Sequence, residues 1–160
     1  MVVVVVSGLP GAGKEELVKV MVENGFSVVR MGDVVRAHAE SQGLGGDDLS
    51  IGSHATSERE TMGKDIWAVR TIEVLPEGDS VIDGCRSKDE LQYFRKHIDN
   101  LVTVGITASA ENRFQRLATR GRADAPKTLE EFKRREEREL GWGLGEAIEN
   151  AQHCLRIARV

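Results

Sequence analysis

Aromatic side chains are scarce in this chain: Phe, Trp and Tyr together make up 4% of its 160 residues. So few rings leave little of the stacking surface that binders of single-stranded nucleic acid use. An excess of positive charge is missing too. Lys and Arg number 22 against 26 Asp and Glu, a formal net charge of −4, which argues against gross electrostatic binding to nucleic acid or to an anionic membrane. Only two cysteines occur, Cys85 and Cys154. They are too few for a disulfide framework and wrongly spaced for a zinc site, and read as two free, largely buried thiols in a reducing compartment. No apolar run approaches the ~20 residues that span a bilayer. The apolar start, Val2 to Val6, lacks a basic n-region and is too short for a signal peptide. The cytoplasm is the expected location, with no membrane partner. Nothing in the sequence sets an oligomeric state.

What is present is an ordinary globular composition, 40% hydrophobic and 30% charged, in a length that suits one domain over residues 1–160. The cations are unevenly chosen. Arg outnumbers Lys by 15 to 7, and seven Arg fall between Arg113 and Arg138. A guanidinium fork matches phosphate geometry, so the imbalance points to an anionic ligand.

Val2 to Val6 is five consecutive β-branched residues, the pattern of a strand buried on both faces of a parallel sheet. A Gly/Pro turn and a helix with Leu17, Val18 and Met21 on one face follow, closed by Asn24-Gly25. A second apolar run covers Phe26 to Met31, and a helix Val34 to Gln42. Gly43 to Gly52 reads as a loop. Ser57 and Glu60 have capping-box spacing before a helical face of Met62, Ile66, Val69 and Ile72 that runs to Pro76. Ser80 to Asp83 and Leu101 to Thr107 read as strands, separated by a helix that a second capping box, Ser87 and Glu90, opens. A helix with Ala110, Phe114, Leu117 and Ala118 inward comes next, then a polar loop, Gly121 to Lys127. Thr128 and Glu131 cap a charged helix to about Leu140, whose arginines read as a solvated face paired i,i+4 with Glu130, Glu131 and Glu139. A last apolar stretch surrounds Cys154 to Ile157. Strands alternating with helices imply an α/β domain with a mainly parallel sheet. The four histidines are scattered, and none has a ligand-like partner in the sequence.

The chemistry is concentrated after the first strand. Gly8-Leu9-Pro10-Gly11-Ala12-Gly13-Lys14 has the glycine and lysine positions of a P-loop, between a buried strand and a helix. Glycines let backbone amides approach phosphate oxygens closely. The helix adds its unpaired N-terminal amides and dipole. Lys14 reaches the terminal phosphates and offsets charge during transfer. One feature departs from the motif: Glu15 and Glu16 stand where a Ser or Thr should hold Mg²⁺. A carboxylate there can hold the ion directly or through water, or both can be plain first-turn acids favoured by the dipole.

Further along, Gly8 to Lys14 with its inner Pro-Gly resembles the P-loop of adenylate kinases and related nucleoside monophosphate kinases. Met31-Gly32-Asp33-Val34-Val35-Arg36 resembles their Gly-Asp-x-x-Arg segment. Ile82-Asp83-Gly84-Cys85-Arg86 resembles their Asp-Gly-x-x-Arg turn, one residue shorter. Arg116 and Arg120 before Gly121-Arg122 resemble the arginines leading into the lid. The C-terminal part also resembles dephospho-CoA kinases, and the nearest likeness is to an uncharacterised archaeal family of short proteins similar to both. The resemblance implies a three-layer α/β/α P-loop NTPase fold with a five-stranded parallel sheet, and a short lid over about residues 120–128. It implies ATP held at Gly8 to Glu16 with Arg116, catalysis by Lys14, Asp83 and Arg120, and an acceptor beside Asp33, Arg36, Arg86 and Arg122.

Residue chemistry agrees in part. Asp83 ends an apolar strand, as a carboxylate that orders Mg²⁺ through water does. Asp33 can instead cap its helix, Arg36 and Arg86 can be surface residues, and Asp83-Gly84 can be a simple turn. The function these features imply is transfer of the ATP γ-phosphoryl to a small, nucleotide-like acceptor. The absence of an evident general base suits a phosphate acceptor, although Asp33 can serve a hydroxyl in the manner of dephospho-CoA kinase. A third reading is an ATP-binding module or slow ATPase with a regulatory role.

Overall fold

The computed structural model describes residues 1–119 and 126–157. Five strands form one sheet in the order β2-β3-β1-β4-β5, every adjacent pair parallel. The strands are β1 (Val3–Gly8), β2 (Ser27–Arg30), β3 (Ser80–Cys85), β4 (Leu101–Thr107) and β5 (His153–Arg156). The helices are α1 (Lys14–Glu23), α2 (Met31–Ser41), α3 (Asp48–Met62), α4 (Ile66–Glu73), α5 (Lys88–His97), α6 (Ala110–Thr119), α7 (Leu129–Gly141) and α8 (Leu144–Glu149). This is the expected α/β fold.

β1 is central, and its alternation explains the layers. Side chains two apart share a face. Val3 and Val5 pack with Met31, Trp67, Ile82, Leu91 and Phe94 on one side. Val4 and Val6 pack with Val18, Val81, Val104 and Ile106 on the other. A strand covered on both faces has no polar positions to spare, hence its unbroken valine run.

Several local expectations change. The segment read as a loop to Gly52 is helical from Asp48, because Asp47 accepts from the Leu49 and Ser50 amides and caps α3. Ser57 and Glu60 therefore lie inside a helix. The single helix expected from Ser57 to Pro76 is two, broken at Gly63 with φ 119°. Met62, expected inward, is exposed, whereas Trp67 is fully buried. In α6 the buried residues are Arg113 and Leu117, and Ala110 and Ala118 face outward. Cys85 is buried, but Cys154 is exposed on the edge strand. The caps at Ser87 and Thr128 form as expected, each hydroxyl accepting from the amide three residues on. Among the described residues no helix is long and apolar enough to cross a membrane.

Candidate active site

The sheet order places a change of winding direction beside β1, since β2 lies beyond β3 on one side and β4 on the other. Ligands of open α/β sheets bind at the carboxyl ends of strands at such a point. The Gly8–Lys14 loop leaves the end of β1 there, and Asp83 lies near the end of β3. The loop is shaped by two glycines, Gly11 at φ 77° and Gly13 at φ 100°. A Cβ on Gly11 would stand 2.3 Å from the carbonyl oxygen of Arg113, so this position has no room for a side chain. Gly13 caps α1 with no side-chain acceptor on the helix amides, which keeps the positive end of the dipole available to an anion.

Two arginines of α6 brace the loop from behind. Arg113, 4% exposed, donates to the carbonyls of Pro10 and Ala108 and pairs with Glu136 at 2.6 Å. Arg116 donates to the carbonyls of Gly11, Ala12 and Ile157. Holding those carbonyls outward favours amides that face the cleft. Lys14 Nζ donates to the Gly8 carbonyl at 2.8 Å, folding back along the loop.

Among the described residues, the cleft in front of the loop brings together five cations, Lys14, Arg30, Arg36, Arg86 and Arg135, and three carboxylates, Glu15, Asp83 and Glu139. In a chain of net charge −4 this is a local positive excess, the field that draws in a polyanion. The candidate site residues are placed as follows. Gly11 to Glu15, Asp83, Arg36 and Arg86 line the cleft. Glu16 turns away and pairs with Lys19 on an exposed face. Asp33 is in the first turn of α2, makes no capping bond, and pairs with Arg36. Arg120, Arg122 and most of the 120–128 segment lie outside the described residues.

Asp83 and Glu15 share a cation, Arg30, which pairs with Glu15 and lies 3.9 Å from Asp83. The second oxygen of Asp83, Oδ1, is buried with no hydrogen-bond partner. These carboxylates, one with an unsatisfied buried oxygen, are hard oxygen donors of the kind that could serve Mg²⁺ if Arg30 moved from between them. Gly84, at φ 100°, makes a bulge where the β1 to β3 register slips between Val6 and Ser7. The bulge re-aims the chain just before Arg86.

Sequence reasoning missed Arg30, Arg135 and Glu139. The acidic residue that pairs with α7's arginines is not on a solvated face. Glu139 is 4% exposed, lies 3.6 Å from Arg86 and 3.3 Å from Arg135, and forms the back wall of the cleft. Arg138 grips both carboxylate oxygens of Asp48 at 2.9 and 3.0 Å, tying α7 to the start of α3. The i,i+4 spacing of Arg135 and Glu139 was the available signal, but it fits a solvated face equally well.

Burial alone would raise the Glu139 carboxyl. Arg86, Arg135 and Lys14 outweigh it and hold that group below its ordinary 4.5. Arg86 is likewise kept charged: enclosure works against the cation, and Glu139, Glu90 and Asp83 overcome it. A carboxyl depressed in the folded state contributes stability that is full above its unfolded value and is lost as pH falls through the folded one. In urea unfolding the Glu139 contribution to stability should therefore be level from pH 7 to about 5 and lost below. In Glu139→Gln that acid decline should be shallower, and an unchanged acid limb would contradict this placement of Glu139. Burial pushes the Cys85 thiol upward, which favours its protonated form.

Residues 4–140 match the AAA domain family. A UPF0200 protein of Thermoplasma acidophilum is 46% identical over 153 residues, covering 95% of this chain and 84% of that protein. A UPF0200 protein of Methanopyrus kandleri is 44% identical over 157 residues, covering 97% and 80%. Among solved structures, shikimate kinase from Bacteroides thetaiotaomicron superposes with a TM-score of 0.61 at 17% identity, covering 97% of this chain and 86% of that one. A gluconokinase from Sinorhizobium meliloti gives 0.58 at 17%, covering 98% and 82%. These likenesses establish the fold of small P-loop kinases. With a P-loop at the carboxyl end of its central strand and relatives of this similarity, the chain belongs to the UPF0200 family and carries an AAA domain over residues 4–140.

Proposed function

We propose that this protein is an ATP-dependent phosphotransferase whose acceptor is a small, nucleotide-like molecule bearing an anionic group. The observation that carries the proposal is the convergence of the open-amide loop with five cations in one cleft. One anion would satisfy the loop. The further guanidinium groups at Arg36, Arg86 and Arg135 suit a second.

In this reading the backbone of Gly8 to Lys14 cradles the ATP phosphates, and Lys14 stabilises charge on the transferring group. Arg116 stiffens the loop from behind, and a contact from it to the nucleotide is part of the proposal, with Arg120 and Arg122 as the lid arginines. Mg²⁺, when bound, would neutralise phosphate charge. Asp83 and Glu15 would hold it, releasing Arg30 from between them. Arg36 and Arg86 hold the acceptor, and its anion competes with the Glu139 carboxylate for Arg86. Positioning and charge neutralisation supply most of the rate in such a transfer. A hydroxyl acceptor, as in a dephospho-CoA kinase-like activity, would need a base. Asp33 is the candidate, yet it is exposed and already paired with Arg36, so the phosphate acceptor is placed first.

The test is ADP release from ATP and Mg²⁺ with a panel of nucleoside monophosphates and dephospho-CoA. One acceptor should stimulate release. Arg36→Ala and Arg86→Ala should each raise that acceptor's KM about ten- to a hundredfold, the worth of a charge-assisted hydrogen bond, with ATP affinity unchanged. ATP binding without stimulation by any acceptor would sink the kinase reading in favour of a binding module or slow ATPase.

A further inference from the structure

Away from the cleft, three side chains with metal-binding chemistry meet between α2 and α3. His38 Nδ1 lies 2.8 Å from His54 Nε2, and one oxygen of Glu58 joins them with all three donor atoms within 4.8 Å of one another. His54 and Glu58 are four apart on α3, so they project from one helix face. His38 comes from the neighbouring helix. The two imidazole planes are inclined by 15°, and both rings stand edge-on to buried Trp67, at 5.6 and 5.8 Å. A 2.8 Å contact between ring nitrogens requires one of them to accept, so at least one ring is neutral with a lone pair directed at the other. Glu58 accepts from Arg70 at 2.6 Å through Oε2. Arg70 is in turn held over the Trp67 ring at 4.8 Å.

We propose that His38, His54 and Glu58 form a binding site for a borderline divalent transition-metal ion of the zinc class. Two imidazoles and one carboxylate suit Zn²⁺, Co²⁺ or Ni²⁺, and disfavour Mg²⁺ and Ca²⁺, which take oxygen ligands. The ion takes the place of the hydrogen bond between the two rings: in a neutral pair the shared proton moves to the other nitrogen of its own ring, and in a singly protonated pair it leaves to solvent. Arg70 becomes the outer partner of the ligating carboxylate, the kind of contact that orients metal ligands. His38 and Glu58 are only partly buried, so the fourth position is open to water and the ion has a route in. Three protein ligands and an open position distinguish this from a closed structural site. Its consequence is mechanical. The ion would clamp α3 to α2, which bears the cleft arginine Arg36 two residues before His38.

The experiment is titration of the untagged full chain with Zn²⁺ by calorimetry and with Co²⁺ by visible absorption. The proposal expects one strong equivalent. It also expects the intense visible bands of four-coordinate Co²⁺ and quenching of Trp fluorescence from Trp67. His54→Gln and Glu58→Gln should each weaken Zn²⁺ binding by more than tenfold, and His97→Gln, elsewhere on the surface, should leave it unchanged. If His54→Gln fails to fold by circular dichroism, Glu58→Gln and the wild-type Co²⁺ spectrum decide. Absence of a stoichiometric Zn²⁺ equivalent in the wild-type chain would overturn the proposal and leave a hydrogen-bonded histidine pair packed on Trp67. So would binding that Glu58→Gln and every folded His54 variant leave intact, or an octahedral, weak Co²⁺ spectrum.

Discussion

Replacing Lys14 with Ala should cut acceptor-dependent turnover by about a hundred- to a thousandfold, or roughly 3–4 kcal/mol of transition-state stabilisation. The size of the effect follows from where the ammonium sits. Lys14 is the first residue of α1, at the point where the loop amides and the helix dipole already favour an anion. Its Nζ is held against the Gly8 carbonyl at 2.8 Å, close enough to the cleft to help depress Glu139. In the proposed transfer, charge moving onto the β–γ bridging oxygen and the transferred group would meet an ammonium already tethered at the loop. Lys14→Arg should not restore the rate, because a planar fork cannot substitute for a compact point charge at the end of this stem. Folding should barely change, since the lost hydrogen bond is worth about 1 kcal/mol. Steady-state assay beside thermal denaturation separates the two. A variant that keeps more than a tenth of wild-type turnover would contradict the role given to Lys14.

The largest effect on stability should come from Arg59→Ala. Arg59 pairs with Glu90 at 2.6 Å, with side chains 7% and 0% exposed. It also donates to the Ala55 carbonyl and lies 4.3 Å from the Trp142 ring centroid. Glu90 uses its other oxygen to accept from the Arg86 amide at 2.7 Å, and its own amide donates to Ser87. Removing the guanidinium strands a carboxylate with no exposure. Breaking a buried pair from one side costs about 3–5 kcal/mol, which for a chain of this length lowers Tm by about 6–20 °C. Removing both charges is different. Arg59→Met with Glu90→Gln should recover much of that loss, because no charge is left uncompensated. The Arg59→Ala variant should also bind acceptor more weakly, since Glu90 fixes the turn that presents Arg86. A loss below 1 kcal/mol in urea unfolding, or a double variant no more stable than the single, would contradict this account of the pair.

The central strand, the loop and the helix after it were legible in the sequence because each is fixed locally. An unbroken valine run can only be a doubly covered strand, and a glycine-lysine loop between strand and helix has one common use. Other features are fixed by tertiary partners that local spacing cannot reveal. The start of α3 reads as loop because Gly43 to Gly52 is rich in Gly and Asp; the absence of a Cβ at Gly52 leaves room for the Arg138 guanidinium, whose atoms stand 2.5–2.7 Å from where a Cβ would be. Ser57 and Glu60 imitate a capping box, but the helix had already started at Asp48. Arg135 and Glu139 have the spacing of a solvated pair, and only the approach of Arg86 from the β3 turn makes them a wall of the cleft. His38 and His54 are sixteen apart, a separation that signals nothing until α2 and α3 pack together. Arg30 follows the same logic: it ends β2, and its partners Glu15 and Asp83 belong to two other elements. Glu15 and Asp83 could each be picked out in the sequence, but that they share Arg30 could not.

Phosphoryl transfer itself is the central claim, and following the γ-phosphorus of ATP by ³¹P NMR tests it most directly. The protein would be incubated with ATP, Mg²⁺ and each acceptor of the panel in turn. With one acceptor the γ signal should be replaced by a new phosphoryl resonance on that acceptor, in step with ADP, and Lys14→Ala should slow the change by about a hundred- to a thousandfold. Appearance of inorganic phosphate alone, with every acceptor unchanged, would contradict it.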